Sequence, residues 1–301
     1  MNHLSAEQKR LLAVLAHPDD ETFGMGGTLA KYAQEGSEVY LVCATRGEAG
    51  DVEEKYLHGF NSIAERRENE LRCAAEKLGL KGVFFLNYRD SGMPGSPDNQ
   101  HPQALVGVPI QQVAMDVCAY IRRLRPQVVI TFDPIGGYRH PDHIAIHKAT
   151  VRAFEMAGNP GIAIDPGIAI DPGIAIGDSL PPYQPQKLYF HTIPKMLLRV
   201  TVFLLRLLGK DPHKFGRNAD IDLASIAEVS FPTHAVIDFT SVRRLREEAA
   251  ACHASQGGES MNKGFSGWIR KLFASRETFM QAYPPPMKNK PCRDLFDNCS
   301  G

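Results

Sequence analysis

The sequence has no excess of one charge, no paired cysteine motif and no apolar run long enough to cross a bilayer. Its 34 lysine and arginine residues balance its 34 aspartate and glutamate residues, so the overall charge does not point to nucleic acid or an anionic membrane as partner. The six cysteines form no C-x-x-C pair and are scattered along the chain, which is typical of reduced thiols in the cytosol. The longest apolar run, residues 196–208, is interrupted by Arg199 and Arg206 and is too short to span a membrane.

Two further absences narrow the class of protein. The first ten residues lack the apolar core of a signal peptide, so we expect a cytoplasmic location. The turn after the first predicted strand lacks the G-x-G-x-x-G motif, since Gly24, Gly26 and Gly27 follow an acidic turn that would repel a pyrophosphate. A dinucleotide-binding module is therefore disfavoured. We expect a small molecule as partner and leave a homo-oligomer open.

Strand and helix patterns alternate over the first 155 residues. Short apolar runs predict strands, and longer runs with a period near 3.6 residues predict helices. The predicted strands are residues 11–16, 39–44, 83–86 and 128–132, with 187–191 as a fifth. The predicted helices between them are residues 24–35, 63–78, 110–124 and 141–157. This alternation predicts an α/β fold with a Rossmann-like parallel sheet of order 3-2-1-4-5 plus edge strands, and helices on both faces.

The chain is expected to divide into a core and an extension. Residues 1–192 form the predicted Rossmann-like core, with an insertion at 159–180 in which the unit Gly-Ile-Ala-Ile occurs three times. Residues 193–301 are predicted to form an α-rich C-terminal extension that packs on the core and completes its pocket. Within it, residues 196–208 predict an amphipathic helix that covers the core or a partner, or serves as a lid or lipid-facing element. The remaining predicted elements are an edge strand at 235–239 and helices at 242–253 and 268–283.

Two polar clusters follow the first and fourth predicted strands. His17 ends the first apolar run, and Asp19 and Asp20 follow it within three positions. His140 and His143 come after the fourth strand and lie three positions apart, on one face of a helix start. Because strands 1 and 4 are neighbours in a 3-2-1-4-5 sheet, the two clusters should meet in the crevice where the winding reverses.

Two imidazoles and a carboxylate in this arrangement predict a metal site with one open position. We assign His17, Asp20 and His143 as the ligands of Zn²⁺, and Fe²⁺ fits the same set. Asp19 then lies beside the metal as a general base that takes a proton from a metal-bound water. His140 is left to protonate a leaving nitrogen or to stabilise an oxyanion. The alternative for any one of these residues is a structural role, such as an aspartate that caps the next helix.

Four sequence segments carry a family resemblance. They are A-H-P-D-D-E at 16–21, G-G-T-L at 26–29, T-R-G-E-A-G at 45–50 and G-G-Y-R-H-P-D-H at 136–143. Together they resemble the LmbE-like (PIG-L) family of zinc-dependent N-deacetylases over residues 10–155, above all its mycothiol-pathway branch. The resemblance implies a Rossmann-like fold and hydrolysis of the N-acetyl amide of an N-acetylglucosamine conjugate, which releases acetate and a free amino sugar. It implies the same metal ligands and the same base as the spacing does.

The resemblance also implies residues that would bind substrate. By likeness to sugar-binding segments of the family, Arg67 and Asp90 would contact substrate hydroxyls, and Tyr138 would lie beside the scissile amide. Glu48, in the Gly-Glu-Ala-Gly loop, is a fourth candidate. From the residues alone, Arg67 fits a solvated helix position equally well, and Asp90 and Glu48 fit ordinary turn chemistry.

Three other functions stay open at the level of sequence. A related amidase would cleave the amide of a larger thiol conjugate by the same mechanism. Two histidines and one carboxylate are also the facial triad of non-haem iron oxygenases, although the parallel α/β pattern favours hydrolysis. A non-enzymatic sugar-binding module of the same fold would bind no stoichiometric metal.

Overall fold

The computed structural model describes residues 8–164, 180–216, 219, 221–259, 275–287 and 290–299. Most of the insertion predicted at 159–180, and the first part of the helix predicted at 268–283, lie outside these residues.

Seven strands in the described residues form one sheet. They are β1 (Arg10–Leu15), β2 (Glu38–Cys43), β3 (Gly82–Phe85), β4 (Val128–Phe132), β5 (Lys187–Thr192), β6 (Ala235–Asp238) and β7 (Arg276–Tyr283). Their order in the sheet is β3-β2-β1-β4-β5-β7-β6. Strands β1 to β5 are parallel, whereas β7 pairs antiparallel with both β5 and β6. The predicted order 3-2-1-4-5 with added edge strands is confirmed.

Eight α-helices connect and cover these strands in the part of the chain that the structure describes. They are α1 (Asp20–Gln34), α2 (Ile63–Leu78), α3 (Ile110–Leu124), α4 (Gly136–Arg139), α5 (Pro141–Ala157), α6 (Lys195–Leu207), α7 (Leu223–Glu228) and α8 (Arg243–Cys252). Helix α8 packs against α1 and α2, and α3 packs against α5. From β1 the chain crosses to β2 and β3 toward one edge of the sheet, and from β4 it crosses to β5 toward the other edge. Right-handed crossovers therefore place α1 and α5 on opposite faces of the sheet.

The central strand β1 shows why its sequence is continuously apolar. Leu11 to Leu15 are fully buried, because β1 lies between β2 and β4 and is covered on both faces. Central strands of parallel sheets have this unbroken apolar pattern. Because every position of β1 after Arg10 is buried in the sheet, the polar residues of the first cluster, from His17 on, come after the strand has ended.

Helix ends position the second cluster. Helix α5 begins with Pro141, whose missing N–H is not needed in the first turn. The ring of His140 caps this helix, because its Nδ1 atom accepts a hydrogen bond from the backbone N–H of Asp142 at 3.2 Å. A histidine of the site is thus held by the same contact that starts the helix.

The C-terminal part contains more strand than the sequence predicts. A helix was expected over 268–283, but residues Arg276–Tyr283 form β7, with Glu277 and Phe279 buried on alternate positions. The edge of β5 decides this, since its residues 188–192 pair antiparallel with β7. Strands β6 and β7 therefore extend the sheet of the core. The division at residue 193 remains a prediction.

Two cysteines differ from the expectation of reduced thiols. Cys73 in α2 and Cys252 at the end of α8 form a disulfide, with their Cα atoms 5.8 Å apart. Cys43 and Cys118 are free and buried, as expected. A bond between residues separated by 179 positions carries no local sequence signal, so the expectation is wrong for this pair.

Helix α6 confirms the amphipathic helix predicted near residues 196–208. One face, with Leu198 and Val202, packs on Leu223 and Ile226 of α7. Among the described residues, no helix has both the length and the apolar character needed to cross a membrane.

Candidate active site

The predicted site residues meet at the edge of the sheet where the parallel strands end. His17 follows β1 and His143 lies at the start of α5 after β4, and these two strands are paired neighbours. Their ring centroids are 5.2 Å apart. The two polar clusters, more than a hundred positions apart in sequence, are thus brought together by the order of the strands.

Two imidazole nitrogens and the two oxygens of one carboxylate lie close together at this edge. The Nδ1 atom of His17 lies 3.2 Å from Nε2 of His143 and 3.5 Å from Oδ2 of Asp20. The Oδ1 atom of Asp20 lies 3.3 Å from the same nitrogen of His143. Metal–ligand bonds of 2.0–2.1 Å in a tetrahedron separate neighbouring ligand atoms by about 3.3–3.4 Å. The separations between the three side chains are therefore close to those of ligands around a tetrahedral metal ion, and three ligands leave a fourth position open.

The outer nitrogens of both imidazoles have partners of the kind that metal-binding histidines use. Nδ1 of His143 lies 3.2 Å from the carbonyl oxygen of Gly136, and Nε2 of His17 lies 3.1 Å from Oδ2 of Asp142. Such contacts set the tautomer and orientation of the ring. The ring of Phe132 also stacks on that of His143, with centroids 3.9 Å apart. This support is further evidence that the residues fit a metal.

Two other groupings of side chains lie close enough to share an ion. One is His17, His140 and His143, and the other is His17 with Asp90 and Asp142. In the first grouping, Nδ1 of His140 is already used to cap α5. In the second grouping, Asp90 and Asp142 lie near Nε2 of His17, the nitrogen that faces away from His143. In the arrangement with Asp20, its carboxylate and the facing nitrogens of His17 and His143 lie 3.2–3.5 Å from one another, so His17, Asp20 and His143 remain the predicted ligands.

Asp19 has an unusual backbone conformation beside this cluster. Its φ is 118°, in a region that residues other than glycine rarely adopt. Its N–H donates to Oε2 of Glu21 at 3.0 Å, and its own Oδ2 accepts from Nη2 of Arg67 at 3.0 Å. Burial raises the pKa of Asp19 to about 6, although the Arg67 guanidinium acts to lower it. Strain of this kind often marks a functional position.

Arg67 is held by three acceptors and is itself buried. Besides Asp19, its guanidinium donates to the carbonyl oxygens of Pro18 at 2.7 Å and Gly47 at 3.0 Å. A Cβ atom at Gly47, where φ is 71°, would lie 2.0 Å from Nη1 of Arg67. Glycine is therefore required at position 47 both by the backbone and by the close approach of the arginine.

Comparison with known proteins identifies the family. Residues 12–154 match the family model described as PIG-L: GlcNAc-PI de-N-acetylase. A protein from Catenulispora acidiphila named 1D-myo-inositol 2-acetamido-2-deoxy-alpha-D-glucopyranoside deacetylase 2 is 34% identical over 93% of this chain and 91% of its own length. The Thermobifida fusca deacetylase for the same compound is 36% identical over 82% of this chain and 83% of its own length. The chain belongs to the PIG-L family. The predicted family resemblance is confirmed.

Solved structures share the PIG-L fold at lower identity. The N,N'-diacetylchitobiose deacetylase from Pyrococcus horikoshii covers 93% of this chain and 85% of its own, with a TM-score of 0.58 and 22% identity. The 4-carboxy-2-hydroxymuconate hydratase from Pseudomonas putida covers 94% and 100%, with a TM-score of 0.56 and 19% identity. These likenesses show the fold. Because the two proteins have different named activities, the reaction must be argued from the site.

His140 and Tyr138 lie beside the candidate metal-binding cluster of this PIG-L chain. The ring centroid of His140 is 4.5 Å from that of His17, and that of Tyr138 is 4.9 Å from that of His143. Burial and the nearby imidazoles lower the pKa of His140 to about 2, so its ring is neutral at pH 7. With Nδ1 accepting from Asp142, the ring proton is on Nε2 and is available for donation.

Glu48, in the loop after β2, and Asp90, in the loop after β3, lie next to each other beside the cluster. Oδ1 of Asp90 lies 3.4 Å from Nε2 of His17 and accepts a hydrogen bond from the N–H of Gly92 at 2.8 Å. Oε2 of Glu48 accepts from the backbone N–H of Asp90 at 3.0 Å. The structure thus gives Glu48 a contact that holds Asp90, and its predicted contact with substrate remains a prediction.

A cavity of about 730 Å³ opens onto these side chains. The predicted site residues that line it are His17, Asp19, Arg67, Asp90, Tyr138 and His140. The C-terminal part contributes Phe215, Ile221, Ser255, Gln256 and Gly257 to its wall. A smaller cavity of about 260 Å³ shares Asp19 and Tyr138 with it and reaches Asp20 and His143. Both halves of the chain therefore shape the space in front of the cluster.

Sequence reasoning did not assign two buried groups that support the site. Glu21 is fully buried and bonds His253 at 2.7 Å through Oε1, while Oε2 holds the backbone of Asp19. Asp142 is also fully buried, between the ring of His17 and the backbone N–H of Ser91. Glu21 lies in the segment 16–21 and Asp142 in the segment 136–143. Membership of these segments was the only sign in the sequence that they matter to the site. The partners that the sequence could not indicate, His253 of Glu21 and His17 and Ser91 of Asp142, are 51 to 232 positions away.

Proposed function

We propose that this PIG-L protein hydrolyses the N-acetyl amide of an N-acetylglucosamine conjugate, releasing acetate and a free amino sugar. The observation that supports this most strongly is the convergence of His17, Asp20 and His143, with the strained Asp19 beside them at the floor of a large cavity. The relatives named above act on a glucosaminyl-inositol compound. We therefore propose N-acetylglucosaminyl-inositol as the first candidate substrate.

In this proposal His17, Asp20 and His143 hold Zn²⁺, and Fe²⁺ is the second choice for the same ligands. When bound, the metal supplies positive charge that polarises the amide carbonyl and acidifies water. Asp19 accepts a proton from the attacking water and then delivers it to the leaving nitrogen, so that atoms and charge balance. Arg67 holds the Asp19 carboxylate in place for both transfers.

His140 takes the oxyanion role in this proposal. The neutral ring, with its proton on Nε2, can donate a hydrogen bond to the carbonyl oxygen as negative charge develops there. A pKa near 2 in the structure makes His140 a poor source of a proton for the leaving nitrogen. Of the two roles that the sequence left open, the geometry supports oxyanion stabilisation.

The proposed substrate contacts are made by residues that line the cavity. Asp90 and Tyr138 line it next to the cluster, so the proposed contacts are sugar hydroxyls for Asp90 and the scissile amide for Tyr138. Arg67 also lines it, although its guanidinium already donates to three protein acceptors. The cytoplasmic location and a homo-oligomer remain predictions.

Acetate release from a substrate panel tests the proposal. Zinc-loaded protein is given N-acetylglucosaminyl-inositol, N-acetylglucosaminyl-malate and a bulky S-conjugated amide, and rates are compared at equal concentration. We expect the inositol conjugate to be fastest. Preference for the S-conjugated amide would favour the amidase alternative, which the size of the cavity permits. No release from any of them, in protein with one zinc per chain, would contradict the proposal.

A further inference from the structure

Helix α6 presents an apolar surface to solvent. The six side chains on this face are between 44% and 73% exposed, and they are Met196, Val200, Phe203, Leu204, Leu207 and Leu208. Their spacing of three and four residues places them on one side of the helix over three turns. The opposite side, with Leu198 and Val202, is already buried against α7. The exposed face is therefore additional to the contact that holds α6 on the protein.

Basic residues run along one edge of this apolar face. Lys195, Arg199 and Arg206 are separated by four and seven positions, which places them on one stripe of the helix, and Lys210 follows its end. Lys195, Arg199 and Arg206 each stand one position before a member of the apolar row, so the two stripes are adjacent. Residues 194–210 include no aspartate or glutamate. The chain is neutral overall, but this surface is locally cationic.

We propose that α6 docks on the surface of an anionic lipid bilayer. An apolar face that enters the acyl boundary, edged by lysine and arginine at the level of the headgroups, is the arrangement of interfacial helices. The exposed side chains of Arg199, Arg206 and Lys210 can reach anionic headgroups while their methylene stems rest beside the apolar row. A second copy of α6 is a poorer occupant, because facing helices would bring two basic edges together without acidic partners. This inference does not depend on the proposed deacetylase reaction.

Vesicle sedimentation tests the docking. Full-length zinc-loaded protein is mixed with vesicles of phosphatidylcholine alone, or with vesicles of equal parts phosphatidylcholine and phosphatidylglycerol. We expect binding to the anionic vesicles that weakens as salt is raised. The double variant Phe203→Ser, Leu207→Ser should lower the partition coefficient more than about tenfold. Arg199→Gln and Arg206→Gln should each lower it about fivefold.

Matched variants outside α6 serve as controls. Met287 is 93% exposed, so Met287→Ser removes an exposed apolar side chain elsewhere, and Arg152→Gln removes an exposed charge from α5. Both should bind anionic vesicles as the unchanged protein does, and all variants should keep its circular dichroism spectrum. Failure to bind anionic vesicles would overturn the proposal, as would binding that the α6 variants leave unchanged. A dimer that dissociates in Phe203→Ser, Leu207→Ser without any vesicle binding would also overturn it, in favour of a contact between copies.

Discussion

Two regions of the molecule depart from the usual rule that polar side chains are exposed and apolar ones buried. They are the polar cluster at the ends of β1 and β4 and the exposed face of α6. In the cluster, ionisable groups such as His17 and Asp20 are buried among one another. On α6, large apolar groups such as Phe203 and Leu207 are exposed. Buried charge calls for a compensating charge, and an exposed apolar patch calls for a cover. The two departures from the ordinary pattern are the places where this molecule is built to bind something else.

The most damaging change to the first region is the loss of a metal ligand. His143→Ala should abolish stoichiometric zinc binding and lower kcat/KM by more than about 10³-fold, since the metal's charge is lost with it. Metal analysis of the purified variant and acetate-release rates measure the two effects. His147→Ala is the matched control, because His147 lies one turn further along α5 and bonds the carbonyl oxygen of Phe132. If His143→Ala keeps one zinc per chain, the assigned ligand set is wrong.

Removing the base should separate chemistry from metal binding. Asp19→Ala is expected to lower kcat by about 10²- to 10⁴-fold while zinc stays near one per chain, because the carboxylate acts on the proton and not on the metal. Asp51→Ala changes another aspartate that lines the same cavity and should have a much smaller effect on kcat. Full activity in the Asp19 variant would refute the assigned base.

Two glycines test how closely Arg67 must approach the site. Both Gly47 and Gly59 have positive φ, but only at Gly47 would a Cβ atom collide with the arginine. Gly47→Ala should lower kcat by about tenfold or more, because a misplaced positioning group can cost that much. Gly59→Ala should cost about 1 kcal/mol of stability and leave kcat unchanged. Equal kinetics for the two variants would argue against a positioning role for Arg67.

The contribution of the C-terminal part to the site should be seen mainly in stability. His253→Ala removes the partner of the fully buried Glu21, and we expect a loss of about 3 kcal/mol in the free energy of unfolding. His213→Ala removes an exposed contact between Nδ1 of His213 and Oδ1 of Asp222 and should cost less than about 1 kcal/mol. Urea denaturation of both variants measures the difference. Similar midpoints would mean that Glu21 is satisfied without His253.

The sequence motifs predicted which side chains come together, because these residues lie directly at the ends of strands; their roles remain predictions. His17, Asp19 and Asp20 follow β1 directly, and His140 and His143 start the helix after β4, so strand order alone brings them together. Prediction failed where the deciding partner was remote. Residues 276–283 carry a pattern that also fits a helix, and only the free edge of β5 made them a strand.

By itself, the sequence determined the parallel α/β core and the position of the polar cluster at the strand ends, since apolar periodicity and short polar motifs act over a few neighbouring residues. Only the tertiary structure decided that β6 and β7 extend the sheet, that Cys252 bonds Cys73, and that His253 supports Glu21. It also decided which face of α6 stays in solvent. Each of these features depends on which distant residues the fold brings into contact, and a local sequence pattern carries no information about that.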